Sequence, residues 1–566
     1  MGDMMVTGPK SGLFWPLAAL LMAICWLIPH HAAPWLNFLQ ESYVVLVLAV
    51  VMTVSLVRIK RSIEINVLHC SALVLATLPL LQWLAGSIAS FGTAWIHALF
   101  LLGLFIAFAL GAFWAQAKWQ RGPDFLFSAF LLAAIVSVGL QLAQWLIGGD
   151  MLPWVFPAPE SRYYANLAQP NLLGSLLLLG CVGVAWGFYK KLIGGFVATA
   201  AVLFLLIGLV LTESRTGFLN ALIVGVLLSC FWKKERPFLF ALVVSGMLVV
   251  MLALYAWLPE INAWLGHPVA KRPPFDPVRL AMWSSLLGYL PELPFLGTGW
   301  GQIAQAAMLS PGFPSMPGAT RYSHNLLLDL MLSNGLVIGG GILLGLAYFA
   351  LRLLKQLMRK EPDFSIPFAA VSVLTVHAML ELPLAYAYFL LPYGLLLGWV
   401  SVPLQMSRWF VVDRRMALLV MFGALLATVM TIRDYQVVER SFFDVAYGIR
   451  GEPVPPAARP DLFVLTQWRD RFDFVNTAPG PVFSDDEFER AVKIVSATPS
   501  PLLLYMLSYR LAASGQPEMA RFWLGVLCRN SPPPVILSLQ EKWREDPAGL
   551  AWRQKVAWTN CSGESD

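Results

Sequence analysis

Five short polar segments interrupt an otherwise apolar chain, and each carries a group that can handle charge. TESRTG (Thr212–Gly217) holds Arg215. FDPVRLAMW (Phe275–Trp283) has Arg279 four residues before Trp283, so a helix there would set both on one face, and it is followed by LPFLGTGWGQI (Leu293–Ile303). RYSHNLLLDLMLSNG (Arg321–Gly335) opens with Arg321, Tyr322, His324 and Asn325, and Asp329 comes about a helical turn later. HAMLELPLAYAYFLLPYG (His377–Gly394) carries Glu381, and ANLAQPNLLG (Ala165–Gly174) carries Gln169 and Asn171. A guanidinium grips an oxyanion through parallel N–H bonds, and an imidazole changes protonation near neutral pH. Arginines, a histidine, a carboxylate and amides together describe a site for an anion.

Each residue also has a plainer reading. Arg215 could snorkel to an interface beside Glu213, and Arg279 could bind lipid headgroups. His324 could be structural, His377 and Glu381 could pair at i, i+4, and the two amides could cap a helix. Metal catalysis has little support, because the membrane part has neither a DxD pair nor HExxH. The glycines at 297, 299 and 301 follow no strand, so they make no nucleotide fingerprint. No cofactor and no nucleic-acid partner is expected.

The elements that must position these residues are membrane helices. Of 566 residues 58% are hydrophobic and 13% charged, against about 25% charged in a soluble domain. About 20 apolar residues cross a bilayer core, which predicts spans near 13–28, 43–57, 65–85, 94–114, 125–147, 170–189, 193–211, 216–232, 238–258, 335–353, 365–381, 386–404 and 416–432. Met1–Ile28 resembles a signal peptide, but no small-residue cleavage site follows it, so it reads as a retained first span. The fold expected is an all-α polytopic membrane protein of about 13 transmembrane helices, with the chain ends on opposite sides.

The positive-inside rule tests this count. With the N-terminus cytoplasmic, the loops on that side carry Lys10; Arg58, Lys60 and Arg61; Lys118 and Arg121; Lys190 and Lys191; Lys233, Lys234 and Arg236; Arg352, Lys355, Arg359 and Lys360; and Arg408, Arg414 and Arg415. Short loops on the other side carry only Arg162 and Arg215. The formal charge of +6 is thus sorted mainly to one face. All five polar segments face the opposite, non-cytoplasmic side. The domains expected are residues 1–432, a membrane part with a Pro- and Gly-rich loop at 259–334 lying like a lid, and residues 433–566, a soluble domain. In that domain Asp486–Ala497, Pro501–Ser514 and Pro517–Arg529 read as short helices, and LSYRLAASGQPEMARFWL is like a tetratricopeptide hairpin. Cys528 and Cys561 could pair in an oxidising compartment or remain two free thiols.

TESRTG, the Arg279–Trp283 helix leading into LPFLGTGWGQ, and SHNLLLDLMLSNG together resemble the O-antigen ligase and polymerase superfamily of bacterial inner-membrane glycan transferases. ANLAQPNLLG, HAMLELPLAYAYFLLPYG and the C-terminal extension are similar to the pilin-type protein O-oligosaccharyltransferases. The pattern departs at Ala378 and Leu382, where that family would carry Ser and Tyr. The resemblance implies a glycosyltransferase that moves an oligosaccharide en bloc from undecaprenyl diphosphate to a Ser or Thr hydroxyl of a periplasmic acceptor such as a pilin. It implies Arg215, Arg279 and Arg321 on the diphosphate, and His324 as base for the hydroxyl or as a cationic diphosphate ligand. Glu381 orients His324 or acts as the base, and Gln169, Asn171, Tyr322 and Asn325 bind substrate. Partners are then the lipid-linked donor, the acceptor protein and membrane lipids. Two other readings are a ligase acting on lipid A core and a transporter of the lipid-linked glycan. The transporter would show inverted repeats and mid-bilayer charges, neither of which is evident.

Overall fold

The computed structural model describes residues 13–148, 152–157, 162–231, 237–267, 277–310, 313–314, 321–359, 361–449, 459–476, 484–545, 556, 558 and 561. Lys10, Lys233, Lys234, Arg236 and Lys360 lie outside the described residues, as do Phe275, Asp276 and most of LSPGFPSMPGAT. The first nine helices are α1 (Phe14–Ile24), α2 (Phe38–Arg58), α3 (Val67–Leu84), α4 (Phe91–Gln116), α5 (Arg121–Leu146), α6 (Pro170–Tyr189), α7 (Gly195–Leu211), α8 (Arg215–Phe231) and α9 (Pro237–Trp264). Two shorter ones, α10 (Pro277–Tyr289) and α11 (Ile303–Leu309), precede α12 (Leu326–Leu357), α13 (Pro362–Ala378), α14 (Ala387–Ser401) and α15 (Arg414–Ile449). The C-terminal helices are α16 (Thr466–Asn476), α17 (Asp485–Ala497), α18 (Pro501–Ala513), α19 (Pro517–Asn530) and α20 (Pro533–Glu545).

The protein is a helical, polytopic membrane protein. Among the described residues 9 helices are long and apolar enough to cross a membrane, and α1, α7 and residues 215–229 of α8 are shorter apolar helices. A helix occupies each of the segments expected to span. Among the described residues the one sheet is an antiparallel ribbon, β1 (Ile63–Asn66) with β2 (Arg408–Val412), in which Ile63 pairs with Val412. It ties together two loops that the charge pattern places on one face of the membrane.

The chain forms two compact units. The first comprises 1–74, 100–272 and 347–428, and all the basic loops assigned to the cytoplasmic side fall within it. Its core is built on α6 and α14, the most enclosed of the membrane helices. Small residues bring the helix backbones together: a Cβ on Gly398 of α14 would lie 2.0 Å from the Phe108 carbonyl oxygen of α4, and one on Gly183 of α6 would lie 2.7 Å from the Phe127 carbonyl oxygen of α5. Such close approach replaces the hydrophobic driving force that lipid does not supply. The second unit comprises 75–99, 273–346 and 429–566. There α11 sits between two apolar clusters. Ile303, Ala306 and Ala307 pack with Met282, Leu286, Leu328 and Leu332, while Met308 joins the C-terminal core of Phe474, Val495, Leu507, Leu511 and Leu527.

In this second unit α15 continues to Ile449, past the expected domain boundary at 432. Buried Asp434 accepts the Val464 and Leu465 backbone N–H groups at 2.6 and 3.0 Å, anchoring the chain that leads into α16. The 85–93 loop is held from two directions. Ser90 Oγ donates to Asp470 and the Gly92 N–H to Thr466 Oγ1, while Gln302 Nε2 donates to the Ser87 carbonyl. Ser484 and Glu487 form a capping box that starts α17. Cys528 and Cys561 are joined in a disulfide across 33 residues. Closing a loop of that length is expected to contribute about 3–4 kcal/mol. Cys528→Ser should therefore lower the unfolding temperature of the C-terminal region, read by limited proteolysis against temperature, and wild type under reductant should match the variant.

Candidate active site

The expected site residues fall into two groups, one in each unit, and each group is described by itself. In the first unit Pro170 at the first position sets the start of α6, as its fixed φ allows. Gln169 is the N-cap residue, yet its side chain makes no capping hydrogen bond. Asn171 turns away from capping and becomes a junction. Its Oδ1 accepts Ser214 Oγ at 2.7 Å and Arg162 Nη2 at 3.3 Å, and its Nδ2 donates to Glu381 Oε1 at 3.1 Å. Glu381 is buried just past α13, its N–H donating to the His377 carbonyl at 2.8 Å. His377 meets α6 as well, with Nδ1 2.7 Å from Ser175 Oγ. Three separate sequence segments thus converge on α6.

The TESRTG turn is built from its own side chains. Thr212 Oγ1 accepts the Ser214 N–H, and Ser214 Oγ accepts the Gly217 N–H at 3.0 Å. Glu213 takes a left-handed φ of 47°. The turn delivers Arg215 to the first position of α8, where it is exposed. A cation at a helix N-terminus opposes the macrodipole, whereas an anion there meets both the dipole and unpaired N–H groups. Arg215 and the start of α8 together suit a phosphate.

Arg162 was not among the residues singled out from the sequence. Its Nε donates to the Thr212 carbonyl at 2.9 Å while Nη2 reaches Asn171, so one guanidinium joins the QPN and TESR segments. The loop that carries it hangs from α5, where Gln144 bonds the Tyr164 and Ala165 N–H groups and the Phe156 and Ala165 carbonyls. Gln141 donates to the Tyr163 carbonyl at 2.9 Å. Two amides, three residues apart in an apolar span, were the available signal, because polar groups at membrane depth need partners. Arg162→Ala is expected to cost about 1.5–3 kcal/mol, the range for hydrogen bonds to a charged group. Melting in detergent checks this, with Arg162→Lys recovering only part of the loss because an ammonium lacks the guanidinium's planar fork of donors.

In the second unit the Arg321–Gly335 segment is a clamped turn running into a helix. His324 has a left-handed φ of 58°, a conformation disfavoured for a residue with a side chain. Both neighbours are fixed. Ser323 is fully buried, its N–H donating to Asp329 Oδ1 at 2.7 Å and its carbonyl accepting Trp283 Nε1 at 2.7 Å. Asn325 caps α12, its Oδ1 accepting the Leu327 and Leu328 N–H groups at 3.0 and 3.1 Å. Trp283 and Arg279 lie a turn apart on α10, so the arginine helix is tied directly to the histidine turn. Arg321 is exposed. Arg471 of α16 has its pKa lowered to about 9 by burial and by the repulsion of Arg321, so the C-terminal region lies within electrostatic reach of this segment.

The far end of the same helix explains the glycines of GTGWGQ. α12 is two helices meeting at Gly335 (φ 73°, ψ 172°), a conformation open essentially to glycine alone. The Thr298 and Gly299 N–H groups bond the Leu332 and Ser333 carbonyls at 2.9 and 3.1 Å, and Trp300 Nε1 donates to Asn334 Oδ1 at 2.9 Å. Gln82 Nε2 adds bonds to the Leu296 and Ser333 carbonyls. The carbonyls left open by the kink are satisfied by this loop, as helix ends require.

Two sequence families match the chain. That described as "O-Antigen ligase" covers residues 200–344, which include Arg215, Arg279, Arg321, Tyr322, His324 and Asn325. That described as "Virulence factor membrane-bound polymerase, C-terminal" covers residues 367–528, with His377, Glu381 and most of the C-terminal helices. Two relatives come from Acinetobacter baylyi. The chain is 26% identical over 533 residues to a "General O-oligosaccharyltransferase", an alignment that spans 91% of each chain. The chain is thus similar to O-antigen ligases over residues 200–344 and to an O-oligosaccharyltransferase over most of its length. This transferase is also 28% identical over 329 residues to a "ComP-specific O-oligosaccharyltransferase", covering 57% of its own length and 59% of the relative. It is accordingly a glycosyltransferase of the O-oligosaccharyltransferase kind. No solved structure matches it.

Proposed function

We propose that the protein transfers an oligosaccharide en bloc from undecaprenyl diphosphate to a Ser or Thr hydroxyl of a periplasmic acceptor protein such as a pilin. The observation that carries this reading is the alignment with a general O-oligosaccharyltransferase across 91% of both chains, so that the likeness takes in the C-terminal region as well as the membrane part. The membrane part, residues 1–432 with the 259–334 loop, crosses the inner membrane thirteen times in this reading. Its catalytic face and the tetratricopeptide-like domain at 433–566 are periplasmic.

In the reaction the acceptor oxygen attacks the anomeric carbon, the bond from that carbon to the phosphate oxygen breaks, and the lipid diphosphate leaves with the electron pair. The hydroxyl proton passes to a base. Arg215, Arg279 and Arg321 neutralise the leaving diphosphate, a task suited to bidentate guanidinium contacts. His324 takes the hydroxyl proton, or as a cation holds the diphosphate. Glu381, which accepts a hydrogen bond from Asn171 Nδ2, is the alternative base. Gln169, Asn171, Tyr322 and Asn325 complete the substrate contacts.

The test is expression in a bacterium that makes a lipid-linked glycan and a pilin but lacks its own transferase. A pilin heavier by the glycan supports the proposal. An unmodified pilin with glycan on lipid A core would favour a ligase, and glycan merely moved across the membrane would favour a transporter. A periplasm-specific reporter fused after Ile432 should be active, and a silent fusion would refute the odd number of spans.

A further inference from the structure

The histidine turn has its own carboxylate. Asp329 lies in the first turn of α12 and accepts the N–H of Ser323, the residue before His324, at 2.7 Å. Ser323 is fully buried, so that N–H has no water to turn to and depends on a protein acceptor. Asp329 also lies within electrostatic reach of His324. Arg321 and Tyr322 precede the turn in sequence, Arg279 lies on α10, which Trp283 ties to the Ser323 carbonyl, and Arg471 of α16 lies within electrostatic reach of Arg321. The backbone at His324 occupies the left-handed region, which for a non-glycine residue persists only where its surroundings over-determine it. Three contacts do so: Asp329 on the Ser323 N–H, Trp283 on the Ser323 carbonyl, and Asn325 on the helix N–H groups.

We propose that Asp329 is a positioning residue for the transfer reaction, holding the left-handed turn that aims the His324 imidazole at its target. The proposal rests on the transferase reading of His324.

Two variants separate positioning from general stability. Asp329→Asn keeps an acceptor oxygen for the Ser323 N–H. Asp329→Leu is of similar size, favours the helix and suits apolar surroundings, but accepts nothing. Transfer by the full-length protein in detergent is measured with a lipid-linked oligosaccharide and a purified acceptor protein, together with the melting temperature. A misplacement of the order of 1 Å costs roughly 100-fold in rate. Asp329→Leu is therefore expected to lower kcat about 100-fold with the donor KM unchanged, assayed well below a melting temperature that falls only by what one unpaired buried N–H costs, and Asp329→Asn to retain activity within about fivefold. Wild-type kcat in Asp329→Leu overturns the proposal. So do equal losses in both variants, or a loss that follows the melting temperature. A wild-type protein without transfer overturns the transferase reading itself, a result distinct from any of these.

Discussion

His324→Ala is expected to reduce transfer by 100-fold or more, on the order of the 10²–10⁴ that a positioned acid or base contributes. Folding and membrane insertion should be unaffected. Capping of α12 falls to Asn325, and Ser323, Trp283 and Asp329 bond across the turn, while His324 itself is half-buried. Removing the ring leaves those bonds in place. Arg279→Ala should give a comparable loss by a different route. The α10 helix remains tied through Trp283, while the leaving diphosphate loses a guanidinium partner. The two variants differ in what rescues them. Arg279→Lys retains charge without the planar fork and should recover part of the rate, whereas a shorter polar residue at 324 should recover none. Rates with purified protein, alongside detergent melting curves, check both. A His324→Ala protein within tenfold of wild type would remove His324 from the chemistry.

Gly335→Ala has the second large effect, and it acts on structure. At φ 73° and ψ 172° the backbone is in a region that only glycine tolerates, and an added Cβ would lie 2.3 Å from the Phe295 carbonyl oxygen and 2.9 Å from the Gly297 N. These are backbone atoms, so no side-chain rotation relieves the contact. Conformational strain alone costs about 1–3 kcal/mol, and the steric overlap adds to it. The loop at 297–300 must then withdraw from the kink, leaving the Leu332 and Ser333 carbonyls without the Thr298 and Gly299 N–H groups. Because the helix ending at this kink begins beside His324, transfer is expected to fall with stability. Faster proteolytic cleavage between α10 and α12 and a lower yield of membrane-inserted protein are the readouts. Gly340→Ala, with open space around its Cβ, serves as the control that should behave as wild type.

Much of this architecture was legible in the residues. Apolar length located the helices, and the expected start of a span at 335 coincides with the kink that ends the polar half of α12. The short C-terminal helices fall within a residue or so of their expected bounds because Pro, Ser and Gly punctuate them. Periodicity could not reveal partners distant in sequence. That Asn171 would bond Glu381, or Arg162 the Thr212 carbonyl, depends on how α6, α8 and α13 pack, and packing is set by side-chain shape across the whole bundle. The glycines of GTGWGQ were recognised as unlike a nucleotide loop, but their task of closing a helix kink required the second partner, at 332–335, to be known. The ribbon of Ile63–Asn66 with Arg408–Val412 is not legible locally, because strands of four and five residues are too short for a pattern to mark them and their pairing joins segments far apart in sequence. The i, i+4 spacing allows His377 to pair with Glu381, but it gives no sign that His377 Nδ1 lies 2.7 Å from Ser175 Oγ on another helix.

The central claim is that a whole oligosaccharide moves in one step from a lipid diphosphate to a protein hydroxyl. The most direct measurement is the intact mass of a purified pilin-type acceptor after incubation with the purified protein, reconstituted in liposomes with an undecaprenyl-diphosphate-linked oligosaccharide of known composition. The predicted result is a single added mass equal to the complete glycan, appearing together with free undecaprenyl diphosphate and absent with His324→Ala. An acceptor that stays unmodified under these conditions, or that gains sugars one at a time, would contradict it.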